Sequence, residues 1–284
     1  MDMYLAAIQV SLAYALMSLG IFVTLRIFKL PDITTDGTFT SGAVVYALMM
    51  QNADQHLLPV LFFAFFAGGL GGFLTGIINE KLKIQPLLSG ILVMTALYSI
   101  NLLLLGKSNM SLPLSPDADS FFESWFIYLL VLMICLGSIS WLLYSDYGLA
   151  MRATGHAEQM VKSQGIFPGR MRIAGLMIAN GLTALSGAMV ARFHGFADMG
   201  MGIGIVIAGL GSVMISETLL QAFGVRSLLI RLCMLLPATM LFRFILAFSL
   251  SLGVDPVLLK LISSLLVLGI MAIPILFRKS SHHA

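Results

Sequence analysis

The sequence predicts an all-α membrane protein, a polytopic helical bundle of about eight full spans plus one short half-helix. Three observations predict it. The 284-residue chain is 59% hydrophobic and 10% charged, with a mean hydropathy of +0.99, a composition outside the range of soluble domains. Apolar stretches recur along the whole chain, each near the roughly 20 residues needed to cross the hydrocarbon. Charge collects instead in connections, above all in Tyr144 to Arg172, which holds Asp146, Arg152, His156, Glu158, Lys162, Arg170 and Arg172. The net charge of +3 follows from loop placement and suggests no nucleic-acid partner. Cys135 and Cys233 lie in apolar spans and suggest neither a disulfide framework nor a metal site. The start, MDMYLAAIQV, lacks a basic region and a small-residue cleavage site, so no removable signal is expected.

In chain order, the first span runs from Tyr4 to Leu25. The polar stretch RIFKLPDITTDGTFTSGA, broken by Pro31, leads into a half-length helix over Phe39 to Met50. Full spans follow at Leu57–Ile78, Pro86–Leu105, Phe122–Tyr144, Ile173–Val190, Met199–Leu220, Leu228–Leu250 and Val257–Phe277. With Tyr144–Arg172 cytoplasmic, alternation puts Arg26, Lys29, Lys81, Lys83, Arg226, Arg278 and Lys279 inside as well. The opposite segments, QNADQH, LPLSPDADS, ARFHGFADMG and SLGVDP, hold only Arg192, and Lys107 is the one exception. An external N-terminus and a cytoplasmic C-terminus follow. Small residues recur every fourth position at Ala64/Gly68/Gly72/Gly76, at Gly175/Ala179/Thr183/Gly187/Ala191 and at Gly200/Gly204/Ala208/Ser212/Ser216, a pattern that lets helix backbones approach closely.

The long loop, residues 145–172, has helical content of its own. Ala157, Met160 and Val161 recur at i, i+3, i+4, with Thr154-Gly155 before them and Gly165 and Pro168 after. A short amphipathic helix on the inner face suits docking of a soluble partner; a merely solvated helical loop is the alternative. A second candidate is Asp32-Ile33-Thr34-Thr35-Asp36-Gly37-Thr38. Irregular polar backbone at membrane depth needs cover from protein or water, and a broken helix start attracts anions. Asp36 is a plausible N-cap of the half-helix, so capping and substrate contact both stand, with Thr38 and Thr40 beside it on the possible pathway. Arg243, inside the span Leu228–Leu250, either faces a partner or a wet cavity or snorkels toward the outer surface; Asp36, Glu217 and Asp198 are the acids available. Asn101 and Asn180 are intramembrane amides suited to interhelical bonding or to the pathway. Gly106-Lys107-Ser108 lacks the upstream glycine of a phosphate loop, with Asn101 in its place, so the chain encodes no ATPase. His56, His156, His194, His282 and His283 are scattered, and no catalytic or metal constellation is expected.

The loop followed by RIAGLMIANGLTALSGAMVARFHGFADMGMGIGIVIAGLGSVMISE resembles the permease subunits of bacterial ABC importers, in the superfamily of branched-chain amino acid and ribose permeases. PDITTDGTFTSGA is similar to the PDLTVDGSFTLGA pattern of a group encoded beside a periplasmic binding protein, some of whose members are linked to aromatic amino acids. SGILVMTALYSINLLLLGKSNMSL matches a further block, and the resemblance covers nearly the whole chain. Departures are His156 in the loop, Ser216 before Glu217, and Arg192 and His194 where uncharged residues are usual. The resemblance implies a single permease domain over 1–284 in the inner membrane, a homodimer, a periplasmic binding protein and a separate ATPase subunit that binds the ATP, so no cofactor in this chain. It also implies that Thr154 to Gln164 is a coupling helix seated in the ATPase, with Thr154, Gly155, His156, Ala157, Glu158, Met160 and Val161 as contact residues. A self-contained secondary transporter or channel is the alternative and would call for paired intramembrane acids or histidines.

Overall fold

The computed structural model describes residues 2–51, 56–112, 121–225, 227–255 and 258–280, with side chains described from residue 6, from residue 125 in the fifth helix and up to residue 272. Arg226, the tail histidines His282 and His283, and most of the QNADQH and LPLSPDADS segments lie outside the described residues, as do the side chains of Arg278 and Lys279. The helices are α1 (Asp2–Phe22), α2 (Thr34–Met50), α3 (Leu57–Lys81), α4 (Pro86–Leu105), α5 (Phe121–Tyr144), α6 (Asp146–His156), α7 (Glu158–Ser163), α8 (Pro168–His194), α9 (Ile205–Ala222), α10 (Leu228–Cys233), α11 (Leu235–Ser251) and α12 (Leu259–Ser280). Two short strands, β1 (Asn109–Ser111) and β2 (Phe196–Asp198), pair antiparallel. Seven described spans are long and apolar enough to cross a membrane, with α10 and α11 counted as one. α12 adds a further apolar helix, and the 17-residue α2 is the short one, so the predicted polytopic all-α bundle is the one observed.

Two helices form the axis. The apolar spans of α1 and α8 are 83% and 78% buried, against 28–39% for α3, α4 and α5. The outer helices therefore face lipid, as Phe62, Phe63, Phe66 and Leu70 of α3 do, all more than half exposed. Prolines at the first turns of α4 and α8 set their starts, where the missing N–H costs nothing. Pro237 breaks the predicted continuous span Leu228–Leu250 into α10 and α11 at Met234, because a mid-helix proline removes one backbone bond and clashes with the preceding turn. α1 ends in five π-helical residues, Val23–Ile27, and Lys29 follows at φ 56.

The α8 stripe Gly175/Ala179/Thr183/Gly187/Ala191 is buried throughout. So is Ala64/Gly68/Gly72/Gly76 of α3, where Gly68 lies against Asn180 and Ala184, Gly72 against Leu176 and Gly76 against Ile173. Contact between α2 and α8 is closer still and reciprocal. A side chain on Gly42 would enter the Ala184 carbonyl, and one on Gly187 would enter the carbonyl of Phe39. With no hydrophobic drive between helices in lipid, such backbone approach supplies the packing energy.

The third stripe is not helical throughout. α9 starts at Ile205, six residues later than the predicted Met199, and Gly200 and Gly204 lie in the irregular segment before it. Gly204 holds φ 82, a left-handed conformation that glycine alone adopts cheaply. The open N–H groups of α9 then meet the side chain of Asp36: Gly204 N donates to Oδ2 at 2.9 Å and Val206 N to Oδ1 at 3.0 Å. Asp36 therefore does not cap its own helix. α2 begins at Thr34, five residues before the predicted Phe39, and Thr34 N donates to Asp32 Oδ1 at 2.9 Å. The capping role expected of Asp36 falls to Asp32, and Asp36, one turn further on, reaches across to α9.

Two predictions follow from these contacts. Gly42→Ala drives a methyl into the α8 backbone and lowers the melting temperature in detergent, at a cost of about 1–3 kcal/mol. Gly137→Ala on α5, where nothing lies within 4 Å of the added carbon, leaves it unchanged; equal melting of the two variants would show that α2 and α8 separate freely. Asp36→Asn keeps one oxygen but turns an NH2 group toward the second N–H of α9, so it costs about 1.5–3 kcal/mol, and Asp36→Leu costs more. Wild-type melting of Asp36→Asn would mean that one oxygen suffices.

Candidate functional site

The start of α2 is held by a buried polar network. Asp32 Oδ2 accepts from Asn180 Nδ2 at 2.7 Å, and Asn180 Oδ1 accepts from Thr38 Oγ1 at 2.9 Å. Thr34 and Thr75 share a hydroxyl bond of 2.8 Å that adds α3. Asp32, Thr34, Thr38, Thr75 and Asn180 are all buried, and the pattern gives the amide both an acceptor for its NH2 and a donor for its oxygen. Asn101 of α4 donates to the Gly37 carbonyl at 3.4 Å, and Thr40 to the Asp36 carbonyl at 3.2 Å. Of the predicted pathway residues, Asp36, Thr38, Thr40, Asn101 and Asn180 are thus brought together, and in this structure each binds another part of the same chain.

Arg243 is placed elsewhere, on α11, with its guanidinium carbon 3.2 Å from the centre of the Tyr14 ring. None of the three acids expected as its partner pairs with it. Asp36 caps α9, Glu217 accepts from Arg26 at 3.0 Å, and Asp198 Oδ1 accepts from Gly200 N at 2.7 Å. A ring face takes the cation instead, an attraction that strengthens away from water. Tyr14 stacks in turn on Phe39, centroids 5.8 Å apart. Beside Tyr14 lies a cavity of about 360 Å³ with Asn109, His194, Phe196, Asp198 and Met201 among its walls. The β1–β2 ribbon closes this end, extended by Leu112 N donating to Gly195 O and Met199 N donating to Ser108 O, both at 2.9 Å. Sequence reasoning missed Tyr14 and Phe196, because an aromatic in an apolar run carries no signal of what it faces.

The opposite end carries α6 and α7. Ser145 caps α6 by accepting from Gly148 N at 3.3 Å. The predicted single helix Thr154–Gln164 is two helices, since Ala157 sits at φ −146, ψ 74 and interrupts the ladder. Thr154 is buried at the end of α6 and donates to Ala150 O at 2.8 Å, while Gly155 packs against the backbone of Ile27 and Phe28. Val161 is 1% exposed and faces inward, whereas Met160 is 59% exposed. Of the predicted contact residues, His156, Ala157 and Met160 face outward, joined by Gln159 and Phe167; Thr154, Gly155 and Val161 serve the chain's own packing. Glu158 is not a free rim residue. It pairs with Arg172 at 2.6 Å and Lys162 at 2.8 Å, and Arg172 also bonds Glu80 at 2.8 Å. The Lys162 and Arg172 hydrogen bonds hold the Glu158 carboxyl below the usual glutamate range. The network ties α7 to both α8 and α3.

No group of three or more His, Cys, Asp or Glu side chains that could hold a metal occurs among the described residues. The sequence matches the family described as branched-chain amino acid transport system / permease component over residues 3–276. It is 37% identical over 265 residues to the tyrosine transport system permease protein of Clostridioides difficile (strain R20291), covering 92% of this chain and 88% of that one. An uncharacterized protein of Rickettsia prowazekii (strain Madrid E) is 32% identical over 270 residues, covering 92% and 94%. A solved metal-chelate type ABC transporter in an inward-facing conformation shares the fold, with a TM-score of 0.57 at 15% identity, covering 94% of this chain and 83% of that one. The chain belongs to the branched-chain amino acid transport system permease family, as a transport subunit whose ATP hydrolysis lies in a separate subunit.

Proposed function

We propose that this permease imports an aromatic amino acid across the inner membrane as a homodimer, receiving it from a periplasmic binding protein. The N-terminus lies in the periplasm and the C-terminus in the cytoplasm. The similarity to a tyrosine transport system permease supports the substrate class. The charge asymmetry of the connections supports the orientation.

α7 is the element on which the ATPase acts, and the observation that carries this is its mounting. A helix of six residues is too short to hold its own shape. Here the Glu158–Arg172–Glu80 chain of ion pairs fixes it to the ends of two long membrane helices, and Val161 anchors it from beneath. Met160, Ala157 and Gln159 are left facing out. A push on that surface reaches α8, the bundle's axis, through Arg172. The reading as a secondary transporter finds less support among the described residues, where the buried acids Asp32, Asp36 and Glu217 are each engaged already, with Asn180, the α9 N-terminus and Arg26.

Met160→Glu places a charge in the docking surface and abolishes co-purification of the ATPase while the permease keeps its melting temperature, since an unpaired buried interface charge is costly. Retained co-purification and substrate-stimulated ATP hydrolysis at wild-type levels would remove α7 from the interface. Glu158→Ala retains the ATPase but lowers substrate-stimulated hydrolysis, because it frees α7 from α8. Normal coupling in that variant would show that the mounting is dispensable.

A further inference from the structure

The cavity beside Tyr14 has aromatic walls and an acid, and a cation lies behind one of those walls. Tyr14, stacked on Phe39, and Phe196 supply aromatic walls. Asp198 supplies an acid: its Oδ1 is held by Gly200 N, while its Oδ2 has no hydrogen-bond partner and no cation within ion-pair distance among the described residues. Arg243 supplies a cation behind Tyr14 that no carboxylate neutralises among the described residues. At about 360 Å³, the space lies within the roughly 300–1,000 Å³ of ordinary small-ligand pockets. It adjoins the ribbon-closed end of the bundle, away from α7.

We infer that this cavity is a binding station for a zwitterionic aromatic amino acid, with Asp198 taking the ammonium group, Tyr14 and Phe196 the ring, and Arg243 attracting the carboxylate. The inference rests on the aromatic amino acid reading above and deepens it by naming the residues. Apolar walls alone would admit any hydrophobic solute; an acid in the wall and a cation behind Tyr14 favour one that carries both charges.

The test is direct binding of L-tyrosine to the permease–ATPase complex in nanodiscs, so that binding-protein selectivity does not enter. Asp198→Asn keeps the oxygen that accepts from Gly200 N and removes the charge, and it weakens L-tyrosine binding about tenfold or more. Arg243→Gln does the same, whereas Cys233→Ser, at an exposed α10 position, does not. On the wild-type complex, tyramine and 3-(4-hydroxyphenyl)propionate, each lacking one charge, compete at least about tenfold less well than L-tyrosine. Unchanged affinity in Asp198→Asn with a wild-type melting temperature, or equal competition by the propionate, overturns the site. Should Asp198→Asn fold poorly, the competition series on wild-type protein decides alone. Absence of tyrosine, phenylalanine and tryptophan uptake by the complete wild-type system overturns the aromatic amino acid reading itself. Uptake with unaltered binding in the variants overturns only this assignment.

Discussion

The interaction on which the rest of the bundle depends is the Asp36 carboxylate set against the open N-terminus of α9. A helix that begins inside the membrane exposes N–H groups that neither water nor lipid can satisfy. One acid from α2 satisfies two of them and complements the positive end of the helix dipole. That contact lets the Met199–Gly204 segment leave helical geometry, which carries β2 to the ribbon and opens the cavity beside Tyr14. The buried Asp32–Asn180–Thr38 network plays the matching part at the start of α2. Two broken helices are thus fixed by two acids four residues apart, Asp32 at the start of its own helix and through Asn180, and Asp36 at the start of α9.

The two ends of the molecule are built for different work. At the α7 end, charges are paired in a chain from Glu80 through Arg172 to Glu158 and Lys162, and the low titration range of Glu158 keeps those pairs intact below the pH at which an ordinary glutamate would be half protonated. At the ribbon end, Asp198, His194 and Arg243 have no ion-pair partner among the described residues. Under the proposed function, paired charges suit a rigid lever and unpaired ones a surface that binds a charged solute. α8 joins the ends, with Arg172 near its first turn and His194 at its last residue.

Much of this was legible in the sequence. Hydropathy located most of the spans, and four-residue spacing of small side chains identified the faces of α3 and α8 that meet. These signals are local: each is carried by neighbours on one helix, and lipid imposes the same demands on every span. The permease resemblance likewise rested on contiguous blocks. The third stripe was misread for the same reason, since spacing alone cannot tell that Gly204 adopts φ 82 and ends the pattern.

What the sequence by itself determined, then, is the class of molecule and the order of its apolar spans along the chain. Only the tertiary structure decided which partner each polar residue takes. Asp36 caps a helix 168 residues away along the chain, Arg243 rests on Tyr14 rather than on any of three candidate acids, and Glu158 is bound to Arg172. A buried polar group must find a complement somewhere, and the sequence states that need. Which complement it finds depends on how the helices pack, because packing brings distant groups to within about 3 Å.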